Sequence, residues 1–462
     1  MPEPAETQGN EVSVADPKVV KRAVGAAAIG NITEWYDFGV YGYLTTTISQ
    51  VFFTDLSGPV ATIATFGLFA VSFLIRPFGG LLFGPLSDRI GRKRVLSLTV
   101  ILMAAGTFAI GVIPSYSAIG IAAPLLVLLA RLVQGVSTGG EYGSAMTFIA
   151  EYAPDRRRGF LGSWLEFGTL TGYALGATIA TVLSAVLSED QLLSWGWRIP
   201  FLIALPIGLI GLYLRLRLEE TPAFASYVSG EGAKRRTAGQ EFKTIFTRYW
   251  PAMLLCAGLV LAWNVTNYML TSYMPTYLTD TLPGQGAAGV GETTAQVLQI
   301  VVLVLLMVVV TFLGRASDRF GRRRIVMMGC VALVVLSLPA VLLLRAGGDV
   351  ATFAGLAVMG LTLVCFSSTL PATLPAMFPT HIRAGALSIA FNISVSLFGG
   401  TTSTVMGSLV AATGDLNWPA YYLIAAGIIG AVCIYFTRES AGEPLEGSPS
   451  IVSPGEKAGS RG

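Results

Sequence analysis

Charge interrupts this chain so rarely that eleven stretches of 16 to 36 residues contain no Asp, Glu, Lys or Arg: 38–54, 56–75, 95–130, 167–188, 199–214, 249–279, 293–314, 325–344, 350–382, 384–414 and 416–437. A helix needs about 20 apolar residues to cross a bilayer, so the longest stretches hold a tight helix pair or one helix and a loop. Splitting 95–130 at Pro114–Ser117 and tolerating buried charge at 34–37, 131 and 141 predicts twelve spans. They run over 24–45, 58–84, 95–113, 119–150, 160–187, 197–216, 249–278, 294–314, 325–345, 351–372, 384–412 and 418–437. Composition agrees, because 12% charged residues is half of what a water-facing surface carries. A β-barrel needs short alternating segments, and none occurs. The expected fold class is an all-α integral membrane protein.

Placing residue 1 in the cytoplasm puts 26 of the 30 Lys and Arg on the inner side. Arg198 and Arg345 fall outside, and Arg76 and Arg131 fall within spans. That asymmetry predicts a multi-pass protein of the inner, cytoplasmic membrane with both termini cytoplasmic. The net charge of +3 suggests no nucleic-acid partner. The four cysteines, Cys256, Cys330, Cys365 and Cys433, sit in apolar spans as small hydrophobes, and with one histidine, His381, no metal site is expected. There is no P-loop lysine followed by Ser or Thr and no nucleophile elbow, so neither an ATP-driven pump nor an enzyme is read, and no cofactor is expected. A receptor without net transport would need a large soluble signalling domain, which this pattern lacks.

The string Gly84-Pro-Leu-Ser-Asp88-Arg89-Ile-Gly91-Arg92-Lys93-Arg94 recurs in the second half of the chain as Gly314-Arg-Ala-Ser-Asp318-Arg319-Phe-Gly321-Arg322-Arg323-Arg324. A fainter echo relates Pro154–Arg158 to Pro379–Arg383. Each copy follows the second or fourth span of a six-span half, which predicts two parallel repeats facing one another. The expected organisation is a disordered tail over 1–17, a six-helix bundle over 18–218, a linker over 219–248, a second six-helix bundle over 249–438 and a disordered tail over 439–462.

Charges inside spans are the most expensive residues, and each should face a cavity and have a partner. On a helical wheel Glu34, Asp37, Phe38 and Tyr41 share a face of the first span, and Arg131, Gln134, Gly135, Thr138, Glu141 and Tyr142 share a face of the fourth. Asn264, Asn267, Tyr268 and Thr271 share a face of the seventh, and Asn392 and Ser396 share one of the eleventh. Arg76 either snorkels to the cytoplasmic side or reaches the cavity.

The pattern G-x-x-x-D-R-x-G-R-[KR]-[KR] resembles the signature of the major facilitator superfamily. The strings GNITEWYDFGVYG (30–42), QGVSTGGEY (134–142), EYAPDRRRGFLGSW (151–164), WGWRIPFLIALPIGLIGLYLR (195–215) and LEETPAF (218–224) resemble its metabolite:proton symporter family. NVTNYML (264–270), LPAMFPTHIRAGAL (374–387), FNISVS (391–396) and PAYYL (419–423) are similar to the osmoregulatory proline/betaine:proton symporters within it. The resemblance implies the superfamily's twelve-helix fold, a monomeric functional unit, and alternating-access symport of protons with a small zwitterionic osmolyte of the proline, glycine betaine or ectoine type. Sister members carry α-ketoglutarate, shikimate or citrate, so an organic-acid symporter stays open beside it, as does a proton-driven exporter.

In proton-coupled sugar transporters of the superfamily an Asp matching Asp37 pairs with an Arg matching Arg131. This implies Asp37 as proton acceptor and Arg131 as its switchable counter-ion, with Glu34 and Glu141 as rival proton sites; a static pin between two helices is the alternative. An unpaired carboxylate in a low-dielectric site keeps its proton, whereas contact with an arginine favours the anion. A betaine needs π faces for its cation and donors for its carboxylate. The candidates are Trp35, Tyr36, Phe38, Gln134, Tyr142, Asn264, Asn267, Tyr268 and Asn392, with Tyr273 beside them. The interfacial aromatic belt accounts for others, including Trp195, Trp197, Tyr421 and Tyr422. Asp88, Arg92, Asp318 and Arg322 are implied as gate charges, with topogenic charge as the alternative. Some osmosensory members end in a long charged coiled coil, whereas 440–462 here contain no heptads.

Overall fold

The computed structural model describes residues 12–54, 67, 68, 70–221, 223, 224 and 238–454. Its frame is twelve long helices: α1 (Pro17–Tyr43), α2 (Ala70–Ile90), α3 (Arg92–Val112), α4 (Ala122–Tyr152), α5 (Arg158–Val186), α6 (Arg198–Leu216), α7 (Trp250–Gly284), α8 (Glu292–Phe320), α9 (Arg322–Ala346), α10 (Asp349–Thr373), α11 (Arg383–Thr413) and α12 (Trp418–Phe436). All but α1 are long and apolar enough to cross a membrane; α1 is diluted by Asn31, Glu34 and Asp37. Lipid-facing stripes keep helical spacing, as in Val297, Val301, Val304, Val308 and Phe312 on α8.

The spans sit close to their predicted limits, with one systematic difference. Residues 58–66 of the predicted second span lie outside the described residues. Helices α2 and α8 run through the repeated motif to Ile90 and Phe320, so the motif is a helix end and not a loop. The break is one residue in each copy, Gly91 with φ 103° and Gly321 with φ 98°. L side chains avoid that region, and a single glycine lets the chain reverse directly into α3 and α9.

Close helix contact depends on small residues. Gly168, Gly172 and Gly176 form one stripe on α5, where any Cβ would press on the backbone of α1 at Ala28, Ile32 and Tyr36. Gly79, Gly135 and Gly139 do the same between α2 and α4. In lipid no hydrophobic force draws helices together, so backbone approach of this kind supplies the dispersion contact that does. The halves meet along two symmetry-related seams, α2 on α11 and α5 on α8.

The tails differ from expectation. Strand β1 (Val12–Val14) pairs in parallel with β2 (Ser450–Val452). The stretch 439–452 crosses the face on which both strands lie, here the terminal face, because buried side chains satisfy its backbone. Arg158 donates to Glu443 O at 3.0 Å, Arg383 to Glu446 O at 2.7 Å, and Asp155 accepts from Ile451 N at 3.2 Å. Composition predicts disorder there, and composition does not report such partners; residues 1–11 and 455–462 lie outside the described residues. Of the linker, 225–237 are likewise outside, and Ala238–Arg248 is helical.

Candidate substrate and proton site

Asp37 lies on α1 and Arg131 on α4, and both are fully buried. Arg131 donates to Asp37 Oδ2 at 2.6 Å and its guanidinium carbon stands 3.7 Å from the Tyr41 ring centre. Gln134, one helical turn on, donates to Asp37 Oδ1 at 3.0 Å and to Thr107 at 2.7 Å. The predicted pair is therefore assembled within the first bundle, with Gln134 as a partner of the carboxylate.

Glu34 does not join it. One turn earlier on α1 it faces the seam between the halves, where Arg76 of α2 approaches at 3.8 Å. Of the two fates that the sequence allows Arg76, the structure shows the second: it reaches the centre. Its guanidinium is 4.9 Å from the Phe38 ring centre and 4.6 Å from that of Phe73. Tyr268 of α7 closes the cluster against Phe73 at 5.2 Å and Trp35 at 6.3 Å. Both Glu34 oxygens, the Trp35 indole N–H, Arg76 Nε and the Tyr268 hydroxyl are buried without a hydrogen bond. Each such orphan costs about 1–3 kcal/mol.

Glu141 is held elsewhere. Arg215, a loop charge by its position at the end of α6, is buried and donates to Glu141 at 2.6 Å and to Leu96 O. Glu166 of α5 escapes the sequence analysis although it lies inside the predicted span 160–187; the rule that flags Glu34 finds it when applied there. It accepts from Tyr142 and, at 3.0 Å, from Thr169. The Tyr142 ring stacks on Phe391 at 4.9 Å and lies 5.9 Å from Trp263, a second aromatic group across the seam.

The remaining substrate candidates are spread out. Tyr36, two residues on from Glu34 and so on the far side of α1, points away from the centre and donates to Pro200 O at 2.7 Å, which makes it a packing residue of α1 and α6. Asn264 donates to Val260 O of its own helix at 3.1 Å. Asn392 donates to Gly139 O at 2.6 Å and joins α11 to α4. Asn267 and Tyr273 are buried on α7, near its π-helical turn Met269–Tyr273. Trp197, assigned to the interfacial belt, is buried against Phe52 and Phe201.

At the terminal face the two motif carboxylates cross the seams. Asp88 accepts from Ala384 N at 3.2 Å and Gly385 N at 2.7 Å, the first turn of α11. Asp318 accepts from Gly159 N at 2.7 Å and Phe160 N at 2.8 Å, the first turn of α5. Each is a carboxylate on the positive end of a helix in the other half. Arg92 lies 3.1 Å from Asp88 and 3.2 Å from Glu151, and Glu151 also takes Arg383 at 2.8 Å. Arg322 lies 3.5 Å from Asp318 and donates to Ser440 O at 2.9 Å. Arg383 and Arg158, read as inner-face charges, are buried in this network.

A second acidic pair has no counterpart in the sequence analysis. Glu220 after α6 accepts from Arg92 N at 3.0 Å, and Glu439 after α12 accepts from Arg322 N and Arg323 N at 3.0 Å. Burial alone would raise the Glu439 carboxyl, but N–H bonds from Ala441, Arg323, Arg322 and Ser440 outweigh it and hold the group below its ordinary value.

Two pseudo-symmetric helical bundles around buried ionisable and aromatic side chains define a secondary transporter of the major facilitator kind. The chain belongs to the sugar (and other) transporter family, which matches it twice, over residues 23–243 and 225–451. It is 46% identical over 448 residues to the proline/betaine transporters of Salmonella typhimurium and Escherichia coli, covering 96% of this chain and 88% of theirs. It is 45% identical over 449 residues to the glycine betaine/proline/ectoine/pipecolic acid transporter of Dickeya dadantii. Among solved structures, the proton:xylose symporter XylE with bound 6-bromo-6-deoxy-D-glucose superposes with a TM-score of 0.76 at 19% identity, covering 93% of this chain and 98% of that one.

Proposed function

We propose that this chain imports a small zwitterionic osmolyte of the proline, glycine betaine or ectoine type in symport with protons, by alternating access. The observation that carries the proton half is the Asp37–Arg131 pair, sealed inside one bundle one helical turn from the aromatic centre. A rearrangement of α1 against α4 within the first bundle that lengthens the 2.6 Å contact leaves a buried carboxylate without its cation, which favours protonation; restoring it favours release. Glu34 and Glu141 have Arg76 and Arg215 as their own partners, and Asp37 is preferred as carrier because its pairing with Arg131 matches the Asp–Arg pair of the superfamily's proton-coupled sugar transporters. The relatives' names support the substrate class.

Asp88 and Asp318 latch the terminal face in this reading, and that face is cytoplasmic by the excess of basic residues. The protein works as a monomer in the inner membrane, with both ends inside. The test is transport in proteoliposomes. Asp37→Asn is expected to abolish proton-driven uptake of labelled proline and glycine betaine while keeping counterflow, and full proton-driven uptake by the variant would discard the assignment. Counterflow of α-ketoglutarate or shikimate in place of the osmolytes would overturn the substrate class.

A further inference from the structure

Arg76 and Glu34 face one another at 3.8 Å, an ion-pair distance longer than a hydrogen bond, and neither is more than 2% exposed. The guanidinium lies against Phe38 and Phe73, while the Glu34 oxygens, Arg76 Nε and Nη2, the Trp35 N–H and the Tyr268 hydroxyl make no hydrogen bond. Orphaned groups of this kind are rare in protein interiors, and six such atoms gather in one place, at the meeting of α1, α2 and α7. The cluster holds one cation against aromatic faces and one anion beside it, which is the charge pattern of a zwitterion turned inside out.

We propose that Arg76 and Glu34 are the two poles of the osmolyte site, and that by facing one another they stand in for the ligand's own charges. On binding, the substrate carboxylate takes the Arg76 fork, and its cationic nitrogen replaces the guanidinium over Phe38 and Phe73, beside Glu34. One loose internal pair is exchanged for two, so no charge is left bare in the low-dielectric centre. Arg presents a planar fork that matches a carboxylate, and a methylated ammonium is held by ring faces and a nearby anion. The inference rests on the osmolyte reading above and adds the anion anchor, which the candidate binding residues did not include. It also predicts rejection of choline, which has the methylated cation but would leave Arg76 buried and unpaired.

The test is counterflow of labelled glycine betaine by the full chain in proteoliposomes, with unlabelled glycine betaine and choline as competitors. The wild type should prefer glycine betaine. Glu34→Gln combined with Arg76→Gln removes both charges together, so that neither is stranded. It should raise the half-saturation concentration at least about tenfold and reduce the preference over choline by a similar factor, the scale of one charge-assisted hydrogen bond. Arg76→Lys keeps the charge without the fork and serves if the neutral pair does not fold; it should reduce the same preference. A preference unchanged in whichever variant folds overturns the proposal while leaving the osmolyte reading in place. A wild type without counterflow of either osmolyte overturns both. Ligand-induced thermal stabilisation in detergent gives a second readout, expected in the wild type and lost in the neutral pair.

Discussion

Arg215 ends α6 by sequence position, yet its guanidinium turns back into the bundle and meets Glu141 at 2.6 Å. Gly30 on α1 makes the room, since a Cβ there would overlap the guanidinium. Arg215→Gln would leave Glu141 buried without its cation, an arrangement that costs about 3–5 kcal/mol. Unfolding of the detergent-solubilised protein is therefore expected to shift strongly for the single variant and far less for Glu141→Gln with Arg215→Gln. Additive losses in that cycle would show that the two side chains do not interact. At this scale the sequence exposed that Glu34, Asp37, Arg131 and Glu141 need partners. It paired Asp37 with Arg131 only through the family resemblance and did not show that Glu34 takes Arg76 or Glu141 takes Arg215, because every pair joins two different helices: α1 with α2 for Glu34 and Arg76, α4 with α6 for Glu141 and Arg215.

Helices α1 and α5 are joined by a glycine stripe and by Asn31, which donates to Leu165 O at 2.8 Å. At Gly172 a Cβ would press on the Ile32 carbonyl oxygen and the Tyr36 nitrogen, and backbone cannot yield as a flexible side chain can. Gly172→Ala should destabilise by about 1–3 kcal/mol, the usual range for overpacking. Gly25→Ala lies on α1 with nothing within 4 Å of the added Cβ, and should be neutral or stabilising by up to about 1 kcal/mol through helix propensity. Melting temperatures of the two variants test this, and equal losses would remove the stripe as the cause. Twelve elements and most of their limits were legible because apolar length sets a membrane helix. The helical continuation through the motif was not, since the residues Leu86–Ile90 read equally as loop.

Across the whole molecule the frame is symmetric and the chemistry is not. Asn264 and Asn267 follow Glu34 and Asp37 at the same offset that sets Gly314 after Gly84 in the two motifs. The second half thus keeps the shape of the first with neutral amides in place of the two acids. The terminal face is closed by matched contacts, Asp88 on α11 and Asp318 on α5. Removing both charges with Asp88→Asn and Asp318→Asn should favour the state open at that face. Nitroxide labels at the exposed Ile90 and Phe320, one in each half, should report a larger share of long distances in the double variant. An unchanged distribution, with transport intact, would reduce these residues to topogenic charge.

The sequence by itself determined the twelve spans, the two repeats, the side that carries the basic residues and the shortlist of residues that lipid forbids. These follow from composition along the chain, because burying charge is penalised residue by residue. Only the tertiary structure decided that Glu34 belongs to Arg76 and Glu141 to Arg215, that Tyr36 and Asn392 pack helices, and that Glu439–Val452 runs ordered across the terminal face. Those outcomes depend on which helices cross at which height, and local periodicity carries no record of that.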